Sequence, residues 1–397
     1  MNDTQSKNKM FKNIIFLGLV SFFADISSEM VYPLIPLYLT SVFGAAPVLV
    51  GIIEGIAESI ASLLKVFSGY ISDKYNRKKP IAFVGYASGL FYKFALLFAG
   101  SWIGILGARI IDRFGKGIRT APRDVMVAEN ADKSQMGKSF GIHKALDMAG
   151  SAIGILLSYL LLKNMGESGY KTIFAISIIP ILLALAMFFF IQEKKGERTV
   201  KQREFFWKNI NSLNGNLKLY LLVAFIFTLG NSSNTFLLLK ATDIGFSNTD
   251  VILLYFIYNL TSALLAIPFG KHSDKVGRKK VLVLGYLTFS VVYIGFAFAT
   301  EKYMLIAAFI LYGFYTAMVA GVERAFISEI APAELKGTML GLHSTLVGIA
   351  LLPASVIAGM LWNLFGASAP FLFGAFLSAA AAVILGLFFK TTSQKAS

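Results

Sequence analysis

Six acidic side chains (Asp25, Glu29, Glu54, Glu58, Asp112 and Asp147) lie inside otherwise apolar stretches of the first 150 residues, and so do six basic ones (Lys65, Lys93, Arg109, Arg113, Lys116 and Lys144). A carboxylate held away from water takes up a proton more readily, and an opposed cation reverses that preference. Such a set has the parts for proton exchange and for recognising charge. The spacing groups them: Asp25 and Glu29 are i,i+4, as are Glu54 and Glu58, with Lys65 seven residues further on. Arg109, Asp112, Arg113 and Lys116 fall on one helical stripe, and His143 and Asp147 share another. Residues three or four apart face the same way on a helix.

The elements that carry these charges are membrane spans. The hydrophobic fraction is 56% and charged residues are 15%, against about 45–50% and about 25% in soluble domains. The mean hydropathy is +0.67. Gly337–Phe389 contains no Asp, Glu, Lys or Arg. As one helix it would run about 80 Å, and the hydrocarbon layer is about 30 Å thick, so it crosses twice. Twelve helices fit, over 12–43, 47–72, 79–101, 102–128, 134–163, 171–193, 217–243, 248–272, 279–299, 302–329, 335–365 and 369–390. Helical rise places Asp25, Glu58, Lys93, Arg113 and Asp147 about 16–20 Å from the ends of their spans. A charge facing lipid there costs at least about 2.5–3.5 kcal/mol, so these groups are expected to pair or to line water. Lys and Arg concentrate at alternate ends of the spans, which predicts both termini in the cytoplasm. The first span is too long for a signal-peptide core and lacks a small-residue cleavage site, so it is expected to be retained. The net charge of +15 comes from these loops rather than from one basic face, which argues against a nucleic-acid partner. The absence of cysteine and the presence of only three histidines exclude thiol chemistry and disfavour a metal centre. No phosphate-binding or nucleophile motif occurs, so no enzyme is expected.

The chain repeats itself. Gly69-Tyr-Ile-Ser-Asp73-Lys-Tyr-Asn-Arg77-Lys-Lys returns as Gly270-Lys-His-Ser-Asp274-Lys-Val-Gly-Arg278-Lys-Lys. Gly137, Gly141 and His143 return as Gly337, Gly341 and His343. Ser27-Ser28-Glu29 is echoed more weakly by Ser232-Ser233-Asn234. This predicts two parallel six-helix repeats, 1–193 and 217–397, joined by a cytoplasmic linker at 194–216 that is rich in Lys, Arg and aromatics. An interfacial helix is one reading of the linker.

These loops, span numbers and repeats resemble the major facilitator superfamily. The resemblance covers the whole chain and implies an all-α membrane fold in two halves, with a substrate site near the midplane. It also implies that Asp73, Arg77, Asp274 and Arg278 help close a cytoplasmic gate. Arg113-Phe-Gly-Lys116-Gly117 resembles the family's helix-4 arginine motif, with Lys116 in place of the usual Gln. Gly150-Ser-Ala-Ile-Gly154 stands where antiporters of the family have Gly-Pro-x-x-Gly.

The expectation is a proton-coupled secondary transporter of the plasma membrane, similar to drug/proton antiporters. It would move a small organic solute by alternating access, outward for preference, as a monomer in contact with lipid. The proton gradient would be its energy source, with no cofactor. Asp25, Glu29, Glu58, Asp112, Arg113 and Asp147 are the expected proton-coupling residues. Glu54, Lys65, Lys93, Arg109, Lys116, His143, Asn231, Asn234, Tyr255, Tyr258 and Asn259 are the expected substrate contacts. Asn231 and Asn234 are read as the non-titrating counterparts of Asp25 and Glu29. Uptake or exchange of an anionic metabolite, with Arg109, Arg113 and Lys93 as counter-charges, is the alternative. A non-transporting sensor or scaffold on the same fold is the rival of another class.

Overall fold

Proline sets the first interruption in the chain. Pro33 has no N–H, and its ring clashes with the carbonyl four residues back. That residue is Glu29, where helix α1 (Asn2–Glu29) ends. The Tyr32 N–H donates to the Ser28 carbonyl at 2.9 Å and the Leu34 N–H to the Val31 carbonyl at 3.0 Å. Then α2 (Leu34–Phe43) resumes the crossing.

A computed structural model describes residues 2–75, 78–131, 136–192, 213, 215–319, 321–331 and 336–389, apart from some side chains within helices, that of Asp73 among them. The helices continue as α3 (Pro47–Tyr75), α4 (Lys78–Phe98), α5 (Trp102–Asn130), α6 (Met136–Met165), α7 (Tyr170–Ile176), α8 (Ile178–Phe189), α9 (Gly215–Gly230), α10 (Thr235–Asp243), α11 (Asn248–Val276), α12 (Arg278–Phe298), α13 (Lys302–Val319), α14 (Val322–Ile330), α15 (Lys336–Phe365) and α16 (Ala369–Phe388). Among the described residues, eleven helical stretches are long and apolar enough to cross a membrane. Helix α5 has the length, 29 residues, but carries Arg109, Asp112, Arg113, Lys116, Arg119, Arg123 and Asp124. Large apolar side chains such as Phe91, Phe98, Leu264, Phe376 and Leu387 stand exposed on the outer faces, as a lipid-facing surface requires.

Three expected spans are not continuous helices over the described residues. The span read as 12–43 breaks at 30–33. The span read as 217–243 breaks at 231–234, where Asn231, Ser232, Ser233 and Asn234 follow α9. Such side chains compete for the backbone, and the Ser233 hydroxyl accepts from the Thr235 N–H at 3.3 Å. The span read as 171–193 breaks at Ser177, three residues before Pro180, whose ring displaces the Ile176 carbonyl in the same way. The two breaks at 30–33 and 231–234 are 201 residues apart, matching the loop repeat. That register pairs Glu29 with Gly230, so Asn231 and Asn234 lie in the break, about one turn beyond the counterparts of Asp25 and Glu29. The weak Ser-Ser echo had set the expected pairing out of step.

The chain divides into two compact units. One comprises Met1–Arg203 with Phe246–Phe256, the other Glu204–Gly245 with Ile257–Ser397. In the first, α5 packs on α3 and α4, and α1 on α6 and α8. In the second, α12 packs on α13 and α16, and α9 on α15 and α16. Close approach matters most at Gly154: a Cβ there would lie 2.6 Å from the Ile26 carbonyl oxygen and 3.2 Å from Glu29 Cβ. Glycine thus lets α6 lie against α1 beside the Glu29 carboxylate. The expected linker falls almost entirely outside the described residues.

Candidate functional site: buried charge in the first unit

The i,i+4 acids of α3 meet the i,i+4 arginines of α5. Arg109 Nε donates to Glu54 Oε1 at 2.9 Å, and its Nη2 donates to Glu54 Oε2 at 2.5 Å. Both side chains are 1% exposed. Arg113 Nη2 lies 3.0 Å from Glu58 Oε1. Asp112 stands between them, with Oδ2 at 3.3 Å from Arg109 Nη1 and 3.6 Å from Arg113 Nε. The Tyr32 ring, supplied by the break after α1, lies 5.3 and 5.2 Å from the two guanidinium carbons. Cations over a ring face gain electrostatic attraction. Arg109 and Arg113 are therefore both paired with protein carboxylates, although Arg113 Nε makes no hydrogen bond among the described residues.

Lys93 of α4 is buried. Its ammonium lies 4.2 Å from the Tyr92 ring centroid, with no carboxylate among the described residues at ion-pair distance. Lys116 is exposed and likewise has no carboxylate among them at ion-pair distance. Lys65 is half-buried.

A second group joins α1, α5 and α6. Asp25 of α1 and Asp147 of α6 are electrostatic neighbours. Two carboxylates cannot bond each other without a proton between them. Three cations flank the pair: Arg119 Nη2 at 3.9 Å from Asp25 Oδ1, Arg123 Nη1 at 3.9 Å from Asp147 Oδ1, and Lys144 Nζ donating to Asp147 Oδ2 at 2.7 Å. His143 Nε2 lies 3.0 Å from Ser21 Oγ, which lies 3.2 Å from the Tyr86 hydroxyl. Arg119 also covers the Tyr86 ring, at 4.5 Å from its centroid. Glu29, one turn from Asp25, accepts from the Tyr255 hydroxyl at 3.2 Å. Tyr255 belongs to the first unit, within the stretch Phe246–Phe256.

Sequence reasoning missed Arg119 and Arg123. The stripe of Arg109, Arg113 and Lys116 continues at helical spacing to both, and that signal was available. It also missed Glu129 and Glu329. Lys78 pairs with Glu129, and 200 residues on Arg278 pairs with Glu329 at 2.8 Å and with Asp274 at 2.8 Å. The next lysine in each copy caps a helix end. Lys79 donates to the Ile191 carbonyl at 2.5 Å, and Lys279 donates to the Gly386 and Phe389 carbonyls at 3.1 and 2.7 Å. A cation at the C-terminus of a helix is favourable. Of the expected gate residues, Asp274 and Arg278 thus bind within their own unit, while Arg77 and the Asp73 side chain lie outside the described residues.

In the second unit the break after α9 is hydrogen-bonded to tyrosines. Asn231 Nδ2 donates to the Tyr315 hydroxyl at 3.2 Å, and Asn234 Nδ2 to the Tyr258 hydroxyl at 3.1 Å. Tyr312 donates to Asn234 Oδ1 at 2.7 Å. Asn259, one residue beyond Tyr258, is half-buried.

The chain is similar to known membrane transporters. The Major Facilitator Superfamily profile matches residues 17–239 and again residues 220–397. An uncharacterised MFS-type transporter of Methanocaldococcus jannaschii is 38% identical over 97% of this chain and 96% of its own length. A multi-drug resistance efflux pump PmrA homolog of Lactococcus lactis is 26% identical over 84% of each chain. Among solved structures, a nucleoside transporter superimposes with a TM-score of 0.82 at 12% identity, covering 95% of this chain and 100% of that one. A D-xylose-proton symporter gives 0.78 at 17% identity, covering 98% and 99%.

Proposed function

The chain belongs to the major facilitator superfamily of membrane transporters, and from that premise we propose that it is a proton-coupled carrier exporting a small organic solute by alternating access. The observation that carries this reading is the Asp25–Asp147 pair. In this reading the pair shares an exchangeable proton between two helices, among arginines that favour its release. The proton enters or leaves as α1 and α6 shift, because separating the carboxyl groups removes the bond that keeps it. Glu29, hydrogen-bonded to Tyr255, is the neighbouring acceptor on the same face of α1. Glu54 and Arg109 are fastened too firmly to exchange partners and serve as the fixed element. Glu58, Asp112 and Arg113 form the part of the network open to rearrangement. The bundles 1–193 and 217–397 are the rocking bodies. The basic loops hold both termini on the cytoplasmic side of the plasma membrane.

Export is supported by the resemblance to the efflux pump homolog. Asn231, Asn234 and Tyr258 offer the solute hydrogen bonds and ring faces. Uptake of an anionic metabolite is the second reading. Lys116 favours it, being an exposed cation in a span with no carboxylate among the described residues at ion-pair distance. The test is reconstitution in proteoliposomes with an imposed pH gradient and a library of neutral, cationic and anionic solutes. Gradient-driven movement of one class, abolished in Asp25→Asn and Asp147→Asn while solute exchange persists, is expected. Full gradient-driven flux in both variants would reject the proton assignment.

A further inference from the structure

The duplicated histidines sit beside opposite charges. In the first unit, Arg123 lies near Ser21, His143 and Asp147, with Nη1 at 3.5 Å from Ser21 Oγ. Two hundred residues on, the counterparts of Arg123, His143 and Tyr86 are Glu323, His343 and Tyr286. His343 Nε2 lies 3.4 Å from Glu323 Oε1, and the Tyr286 hydroxyl donates to the same oxygen at 3.3 Å. The fold has kept the imidazole and the phenol and exchanged a fixed cation for a carboxylate.

We infer that Glu323 and His343 form a second proton-binding site, in the second unit, that fastens α14 to α15 when occupied. The carboxylate is 21% exposed and the imidazole 11%. Buried at that depth, Glu323 has one partner that can acquire a full positive charge by taking a proton, namely His343. With the proton on, the two make an ion pair. With it off, the carboxylate keeps the Tyr286 hydroxyl and the charge of the neighbouring Arg324 but loses the cation facing it from α15, which in a poorly solvated site is costly. The surroundings leave room for this chemistry. Tyr220 of α9 stacks on the His343 ring, with centroids 6.1 Å apart, and its buried hydroxyl has no hydrogen-bond partner among the described residues. His343 Nε2 is also without a well-aligned hydrogen bond, so it faces Glu323 across a gap that a proton would close. The other groups facing the pair are Tyr286 of α12, Tyr315 of α13 and Arg324 beside Glu323 on α14. Helix α16 carries no titratable residue.

The site stands or falls independently of Asp25 and Asp147. The test uses the full chain in detergent micelles with 15N-labelled histidine. The chain has three histidines, assigned one at a time from His143→Gln, His272→Gln and His343→Gln. Wild type is titrated to the pH at which half of His343 is imidazolium. At that pH Glu323→Gln should leave about a tenth or less of His343 protonated, the loss of an opposite charge at this range being worth at least about tenfold. His143 should be unchanged. Where Glu323→Gln does not give the wild-type His143 and His272 signals, Glu323→Asp, which withdraws the carboxylate by one methylene, should move His343 the same way by less. An equal imidazolium fraction in wild type and a folded variant would overturn the site.

Discussion

The two units use the same helices for opposite purposes. Helix α4 (Lys78–Phe98) returns as α12 (Arg278–Phe298), α5 begins 200 residues before α13, and α3 runs 201 residues before α11. In that register Glu54 corresponds to Tyr255, Glu58 to Asn259, Lys93 to Tyr293, Arg109 to Phe309, Asp112 to Tyr312 and Arg113 to Gly313. The first copy holds a largely salt-bridged network; the second holds packed rings. Phe289 and Tyr293 lie 3.8 Å apart by centroid, Phe227 and Tyr286 4.1 Å, and Tyr312 and Tyr315 5.3 Å. A ring can be buried without a counter-charge, whereas each buried charge demands one. The duplication therefore confines the ionic cluster of these positions to one copy and leaves the other to supply shape and neutral hydrogen bonds.

Breaking the ionic copy should have the largest effect. Arg109→Ala leaves Glu54 uncompensated and should cost about 3–5 kcal/mol, read as a lowered melting temperature in detergent. Replacing both partners, Glu54→Leu with Arg109→Met, should restore most of that loss. No restoration would mean that the pair does more than neutralise itself. The aromatic copy should respond less. Tyr312→Phe strips one donor from Asn234 and should cost about 1–3 kcal/mol in the same assay. A loss as large as that of Arg109→Ala would erase the distinction between the copies. The smallest effect belongs to Arg278→Ala, whose half-exposed pairs with Asp274 and Glu329 should contribute about 1 kcal/mol or less.

Most of the scaffold was legible because bilayer thickness imposes span length, and the duplicated loop fixed the repeat. The charge stripes were legible too, since spacing along one helix is local information. Which stripe faces which was not: the Glu54–Arg109 and Glu58–Arg113 pairs depend on how α3 packs on α5, and the Asp25–Asp147 contact on how Gly154 lets α6 approach α1. Pro33 and the Asn231–Asn234 cluster were visible as breakers, yet the apolar runs around them read as unbroken helices. The pairing of Asn231 and Asn234 with Asp25 and Glu29 slipped by a turn because a short polar echo outweighed the longer register of the loops.

The proton that we propose Asp25 and Asp147 share can be read most directly by infrared spectroscopy of the reconstituted protein at neutral pH, as the carbonyl stretch of a protonated carboxylic acid. The band should be present in the wild type, absent in both Asp25→Asn and Asp147→Asn, and retained in Glu58→Gln. A spectrum without that band, or one unaltered by either aspartate substitution, would contradict the account.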